Sequence, residues 1–346
     1  MLVSIIIPYY NAAKFIERVL NSVLSQTYNN YELILVDDCG TDGTTAIVDS
    51  YLSKHSEVNC IVIRHETNKG AAAARNTGLA ASTGDYILFV DADDEMSGHA
   101  LCELVSIASK YDGVDLVYGN FIDKKGSMDM AVISDLSKKD FTSYPEYSND
   151  VTWIVTRMFD YSQKNNLPIN PVNKLIRRSF LVDNNLYFCE NLRAHEDEMM
   201  AIDMSLYVSS VAFCNKVTYI HYVNNASIMT SLSPIYSVRA WQYIVLNSYR
   251  KFPNLLRDLK LSYCMKELEN KYFEVPKKSF YDALKTKSIL IKLSVDALLH
   301  GFWKLSCSVW PMVLIPFRLA RIQPIKGWLL KKYAWKNMLN GVTLIK

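Results

Sequence analysis

The chain alternates between two apolar patterns. "VSIII" (3–7) is a short continuous apolar run, β-branched and closed by Pro8, the form of a strand buried on both faces. Phe15, Ile16, Val19, Leu20, Val23 and Leu24 then recur at helical spacing, with Asn11 placed to cap the start. The alternation continues with strands at 31–38, 59–65, 85–91 and 114–121. Between them lie helices over "TDGTTAIVDSYLSK", opened by capping residues, the Ala-rich "GAAAARNTGLAAS" and "ALCELVSIASK". This order predicts an α/β fold, a mostly parallel, Rossmann-like sheet flanked by helices on both faces. Residues 122–150 are polar with weak periodicity and read as an insertion or linker, and a further helix is expected to begin near Glu196. From about Ser233 the chain reads as helical, and no internal repeat is present.

In open sheets of this kind ligands bind beyond the carboxyl ends of the strands. Pro8–Asn11, Asp37/Asp38 and Asp91–Asp94 all fall there. The last is the most demanding, because "GDYILFVDADDEMS" (84–97) ends a buried strand in four carboxylates within five residues. Packed together they repel one another, and each is costly to bury unpaired. A D-x-D turn offers hard oxygens to Mg²⁺ or Mn²⁺, ions that keep positions open for phosphate; the competing reading is a solvated acidic turn. An EF-hand starting at Asp91 fails, since Met96 stands where Gly and Cys102 where Glu is required. A haloacid-dehalogenase-type phosphatase wants a small hydroxyl or β-branched residue where Glu95 stands, and a G-x-G-x-x-G dinucleotide fingerprint is missing.

Composition narrows the setting. Half of the 346 residues are apolar, enough for a catalytic domain with an appendage. The seven cysteines are scattered singly, which argues against a disulfide framework or zinc site and for a reducing compartment. The opening "MLVSIIIPYYN" reads as a strand and not as a signal peptide. Charge is uneven: Pro276–Lys346 holds 13 Lys/Arg against 2 Asp/Glu, and the remainder 25 against 33. A basic tail on an acidic body points to a polyanionic surface.

The blocks "SIIIPYYNAAKFIERVLNSVLSQTYNNYELILVDDCGTDGT", "NKGAAAARNTGLAASTGDYILFVDADD" and "HEDEMM" resemble an inverting family 2 glycosyltransferase with a GT-A fold, of the kind that builds bacterial surface polysaccharide. The first two cover most of residues 4–94, about 95–230 match more loosely, and Cys39-Gly40 replaces the family's usual Gly-Ser after "VDD". The resemblance implies a nucleotide-sugar donor, most often a UDP-sugar, bound with a divalent metal, Mn²⁺ or Mg²⁺. Carried over by position, Pro8, Tyr9 and Asn11 would line the nucleoside pocket, Asp38 read the base edge, and Arg75 face the nucleotide or its phosphates. Asp91 would hold ribose and Asp93 ligate the metal. Asn76 and Gly78 have packing roles. The family's base carboxylate maps to Glu196-Asp197, with Asp197 favoured; neighbours on a helix point apart, so one faces the acceptor. Against this stands the plainer reading that Glu196–Glu198 favour a helix N-terminus. His221 would reach the metal or diphosphate, unless it is satisfied in the interior. Lys174 would touch phosphate or acceptor, with an exposed lysine as its default.

Leu305–Phe317 is an uncharged run of 13 residues broken by Pro311 and Pro316, too short to span a bilayer. Trp303, Trp310, Trp328 and Trp335 lie in the same basic tail, the composition of a segment resting in a headgroup layer; a lid or dimer patch is the alternative. The expected organisation is a catalytic domain over 1–232, a helical extension over 233–275 and a membrane-associating tail over 276–346. The expected activity is transfer of a sugar to a hydroxyl of a glycan or lipid-linked glycan, on the cytoplasmic face of the cell membrane. No nucleic-acid partner is expected, and a homodimer stays open. The alternatives are a non-catalytic scaffold that binds nucleotide or glycan, and a D-x-D phosphatase acting through Asp91.

Overall fold

The computed structural model describes residues 1–125, 134–138, 144–159, 167–223, 240 and 243–244. The chain divides into two compact units, Met1–Ser227 and Ile228–Lys346. Of the second, only Ala240, Tyr243 and Ile244 are described, all helical. The rest of the C-terminal region expected to be helical, and the whole basic, Trp-rich tail, lie outside the described residues.

The first unit follows the expected alternation: β1 (Val3–Tyr9), α1 (Ile16–Leu24), β2 (Tyr31–Asp37), α2 (Thr44–Lys54), β3 (Cys60–Arg64), α3 (Ala71–Ala81) and β4 (Tyr86–Phe89). After β4 come β5 (Glu95–Met96), α4 (Ala100–Lys110) and β6 (Leu116–Lys125). Next are β7 (Ser134–Lys138), β8 (Tyr147–Ser148), α5 (Val151–Phe159), β9 (Lys174–Arg177), α6 (Arg178–Asp183), α7 (Glu196–Met204) and β10 (Val211–Tyr222). The strands form one sheet in the order β3-β2-β1-β4-β9-β6-β10-β5, with β7 added to β6 and β8 to β10. The long ladders, β1/β2 and β6/β10, are parallel. β9 enters antiparallel to both β4 and β6 and joins the two parallel halves.

β1 reads as a central strand because both its faces are covered. Val3, Ile5, Ile7 and Tyr9 pack with Ile16, Val19, Leu20 and Val23 of α1, Val48 and Tyr51 of α2, and Leu101 and Leu104 of α4. Ile6, one residue out of phase and therefore on the opposite face, meets Gly78 of α3. A Cβ at Gly78 would lie 2.3 Å from Ile6 Cγ2, so α3 comes this close only with glycine there. Burying each aliphatic side chain of α1 contributes about 1.5–3 kcal/mol.

Two expectations are corrected. Asn11 does not cap α1, whose N-cap is Phe15 without a side-chain hydrogen bond. Asn11 instead has φ 49° and accepts from the Thr41 N–H at 2.8 Å, tying the β1–α1 loop to the β2–α2 loop. The polar stretch 122–150 is not wholly a linker either, because its described parts supply the end of β6, β7 and β8 to the sheet. Backbone pairing there replaces the apolar alternation that would have announced those strands.

Candidate active site

The carboxyl ends of β1, β2 and β4 bring the expected polar residues to one edge of the sheet. At the end of β2, Asp37 accepts from Gly40 N (3.0 Å) and Thr45 Oγ1 (2.5 Å). Asp38, almost fully buried, accepts from His65 Nδ1, Lys69 N and Gly70 N, each at 2.8 Å. It thereby fixes the loop that opens α3, and His65, which sequence reasoning passed over, is braced by Thr77 Oγ1 at 2.9 Å. Pro8 is half-buried at the end of β1. Tyr9 points the other way, into the core beneath α1 and α2, and is 2% exposed; burial and then Asp37 push its phenol well above the usual range. Tyr10, at 48% exposure, is the aromatic that faces outward at this strand end.

Beyond β4 the acidic turn is held from several sides. Asp91 accepts from Arg75 Nη2 at 3.0 Å, and its N–H donates to the Tyr219 hydroxyl at 3.1 Å. Asp94 is buried and accepts from Tyr219 Oη (2.8 Å) and Tyr222 N (2.9 Å). Burial, and then the charges of Asp91 and Asp93, push Asp94 up to about 7. Glu95 accepts from Tyr222 Oη at 3.1 Å and pairs with Arg18 Nε at 3.5 Å. Arg18 also donates to the Asp93 carbonyl and lies 3.7 Å over the Tyr222 ring. The Asp93 side chain is half-buried in this turn. His221 stands on β10 with Nδ1 on Asp123 Oδ1 at 2.9 Å. Burial lowers its affinity for a proton, but Asp94, Asp123 and Asp91 outweigh that and raise it.

Arg75 links this turn to α7. It is buried, donates through Nη2 to Asp91 and through Nη1 to Glu196 Oε1 at 3.0 Å, and lies 5.4 Å from the Phe188 ring centre. Asn76 beside it pins the Phe188–Glu190 segment through Phe188 N (2.8 Å), Phe188 O (2.9 Å) and Glu190 Oε1 (2.9 Å). α7 begins at Glu196 after His195 in the left-handed region (φ 65°), and its first turn carries Glu196, Asp197 and Glu198. That is where the helix dipole favours acids. Glu198 is held by His195 Nδ1 at 3.0 Å, and Glu196 by Arg75. Among the described residues Asp197 makes no ion pair; its Oδ1 accepts from Glu198 N at 3.0 Å. Burial, and then Glu198, raise it to about 8. Glu196 is also raised, first by burial, with Arg75 opposing.

Lys174 departs from expectation. It is not on the surface: β9 lies inside the sheet, so its side chain is 1% exposed, donating to the Pro168 carbonyl at 2.7 Å and lying 4.6 Å from the Tyr118 ring centre. Burial brings its amine down to about 7, with Asp197 opposing. The structure thus brings Arg75, Asp91, Glu196 and Asp197 into one connected group. Asp93, Asp94 and His221 lie beside it, while Tyr9 is placed in the core and Lys174 in the interior. Arg18, Tyr219 and Tyr222 were missed because their spacing is that of ordinary helix and strand positions.

Among the described residues no three His, Cys, Asp or Glu side chains form a closed metal cage. A divalent ion that shares its shell with a diphosphate needs only one or two carboxylates. The turn gathers the hard oxygen donors of Asp91, Asp93, Asp94 and Glu95, whose mutual repulsion a cation would relieve, so the donor chemistry fits.

Comparison with known proteins agrees. A family model described as glycosyl transferase family 2 matches residues 4–167. Glycosyltransferase GlyG of Streptococcus pneumoniae is 30% identical over 229 residues, which are 66% of this chain and 73% of that protein. The poly(ribitol-phosphate) beta-N-acetylglucosaminyltransferase TarS of Staphylococcus aureus is 29% identical over 219 residues, 62% of this chain but 34% of TarS. A crystal structure of S. aureus TarS in complex with UDP-GlcNAc covers 97% of this chain and 92% of that chain, with TM-score 0.67 at 21% identity. The mannosyltransferase PcManGT of Pyrobaculum calidifontis, solved with GDP-Man and Mn²⁺, covers 98% of this chain and 87% of that chain, with TM-score 0.54 at 17% identity. The fold is GT-A, and the chain belongs to glycosyl transferase family 2: it is a glycosyltransferase.

Proposed function

We propose that the chain transfers a sugar from a UDP-sugar to a hydroxyl of a glycan or lipid-linked glycan with inversion, using Asp197 as the general base. The observation that carries this is the unequal treatment of two adjacent carboxylates. Arg75 takes Glu196, whereas Asp197 is left mostly buried without an ion pair and raised to about 8. A base for a sugar hydroxyl needs that combination of proton affinity and availability. Inversion requires the acceptor hydroxyl to attack the face of the sugar carbon opposite the departing diphosphate, and Asp197 receives its proton as the new bond forms.

On the donor side, Pro8, Asn11 and the Asp38-braced loop frame the nucleoside end, and Asp91 meets the ribose. Arg75 donates to two carboxylates and so positions Asp91 and Glu196. Asp93, with Asp91 and His221 near it, would hold Mn²⁺ or Mg²⁺. When bound, such an ion supplies Lewis-acid stabilisation of the leaving diphosphate. The relatives named as poly(ribitol-phosphate) glycosyltransferases and the basic Trp-rich tail support an acceptor in surface polysaccharide synthesis, met at the cytoplasmic face of the membrane. Among the described residues no helix is long and apolar enough to cross a membrane.

The test is calorimetric titration of UDP-GlcNAc and other nucleotide sugars, with and without Mn²⁺, into the wild type and Asp93→Ala. The expected result is Mn²⁺-dependent binding that Asp93→Ala weakens at least tenfold. Binding that is indifferent to both Mn²⁺ and Asp93 would overturn the metal assignment. Slow Mn²⁺-dependent release of UDP from the bound donor separates an enzyme from a binding scaffold, which releases none.

A further inference from the structure

Two adjacent residues of α3 reach the same remote segment. Arg75 donates to Glu196 at the start of α7, 121 residues later, and Asn76 grips Phe188 and Glu190 in the stretch that leads there. Asn76 pairs with Phe188 as a backbone would. Its Oδ1 accepts from the Phe188 N–H at 2.8 Å, and its Nδ2 donates to the Phe188 carbonyl at 2.9 Å. A buried loop residue must satisfy both groups, and one side chain does so here. The Phe188 ring is buried, meets Phe89 at the end of β4 edge to face at 5.3 Å, and has the Arg75 guanidinium carbon 5.4 Å from its centre. That is within cation–π reach. Arg75 spans two elements, with Nη2 on Asp91 and Nη1 on Glu196, while its buried Nε has no hydrogen-bond partner among the described residues. Two carboxylates fix the tip of this guanidinium, and an aromatic ring beside it restrains it further.

We infer that Phe188 is a positioning residue that keeps Arg75 on Glu196, that Asn76 holds Phe188 to this task, and that both act on the Asp197 base through Arg75. This rests on the reading of Asp197 as the base. The charges that act on Asp197 are Arg75 from α3, Lys174 from β9, and Glu196 and Glu198 on its own helix, with His195 holding Glu198. Burial and then Glu198 hold the Asp197 proton, and Arg75 opposes them. An Arg75 that swings away from Glu196 leaves that proton more tightly held, so the rise of the rate moves to higher pH. A Phe188 that only fills space changes stability and leaves the rise where it is.

The test follows UDP release from UDP-GlcNAc with Mn²⁺ across pH 6–10 on the full chain, with the thermal midpoint of every variant recorded. Phe188→Met keeps apolar volume and removes the ring. Asn76→Ala removes the brace behind it, and Arg75→Lys keeps a charge but loses the fork that spans both carboxylates. A fourth variant combines Phe188→Met with Arg75→Lys. In Phe188→Met and in Asn76→Ala the midpoint of the pH–rate curve should move up by about half a unit, with a rate at pH 7 about threefold lower. Arg75→Lys should move it the same way, and adding Phe188→Met to Arg75→Lys should move it no further. A pH midpoint unchanged or lowered in any single variant that folds overturns the inference, whatever that variant's thermal stability. A full second shift in the combined variant overturns it too, since Phe188 would then act without Arg75. Asn76→Ala tests the same chain of contacts from a second position if Phe188→Met does not fold. A wild-type rate with no rise between pH 6 and 10 removes Asp197 as the base, and this inference with it, before any variant is compared.

Discussion

A carboxylate buried beside another carboxylate holds its proton more tightly, and Asp197 stands in that position next to Glu198. Glu196, one residue earlier, accepts from the Arg75 guanidinium at 3.0 Å, a contact Asp197 does not share. Under the proposed assignment that arginine separates a positioned carboxylate from the base. The sign of the pH dependence follows. The base form of Asp197 is the ionised form, and its proton is held up to about pH 8. Turnover should rise with pH through that region, and protonation below it should remove the acceptor for the hydroxyl proton. Asp94, also raised, lies on the donor side, where hydrogen bonds from Tyr219 and Tyr222 hold it in the turn. The carboxylate pairs Asp91/Asp93 and Glu196/Asp197 were visible in the residue string. Within the second pair the resemblance favoured Asp197, but the physical difference was not in the string, because it depends on Arg75, 121 residues away from Glu196.

At the level of elements, the contact of α3 with β1 depends on Gly78. With a Cβ at 2.3 Å from Ile6 Cγ2, Gly78→Ala forces the helix off a central strand. The expected cost is about 1–3 kcal/mol, read by urea unfolding. Ile6→Ala alone should cost about 2–5 kcal/mol. The double variant should cost less than the sum, because the clash and the cavity cancel; strict additivity would show that the two residues do not meet. Apart from the two-residue β5, the strands and helices up to β6 were legible because each is a clean apolar run or a helical stripe. Strands β7 to β9 were not: β7 ("SDLSK") is polar, β8 is two residues long, and β9 carries a buried lysine where a pattern reading expects an exposed one. Arg18, missed as well, shares this cause. Arg18 sits on α1 beside the buried stripe of Val19 and Leu20, and nothing in its spacing separates it from any helix-surface arginine.

For the whole molecule, charge is divided between an acidic body and a tail holding 13 of the 38 Lys/Arg. Proposed contact with an anionic membrane surface then has a plain consequence. The full chain should cosediment with vesicles containing phosphatidylglycerol, weakly with phosphatidylcholine alone, and progressively less as salt rises from 0.05 to about 0.5 M. Replacing Lys326, Lys331, Lys332 and Lys336 with Gln removes four charges worth about 1 kcal/mol each near such a surface, so binding should fall about a hundredfold or more. Vesicle binding unchanged by the four substitutions would assign the tail to packing or dimerisation.

The account rests most heavily on Asp197. The most direct measurement is the rate of UDP release from UDP-GlcNAc with Mn²⁺ across pH 6–9, for wild type and Asp197→Asn, beside the donor dissociation constant of each. The expected wild-type rate climbs with pH through about 8 and levels off above it. At least about a hundredfold loss is expected in Asp197→Asn, with donor affinity kept and the climb abolished. An Asp197→Asn variant that turns over at the wild-type rate with the same pH profile would contradict it.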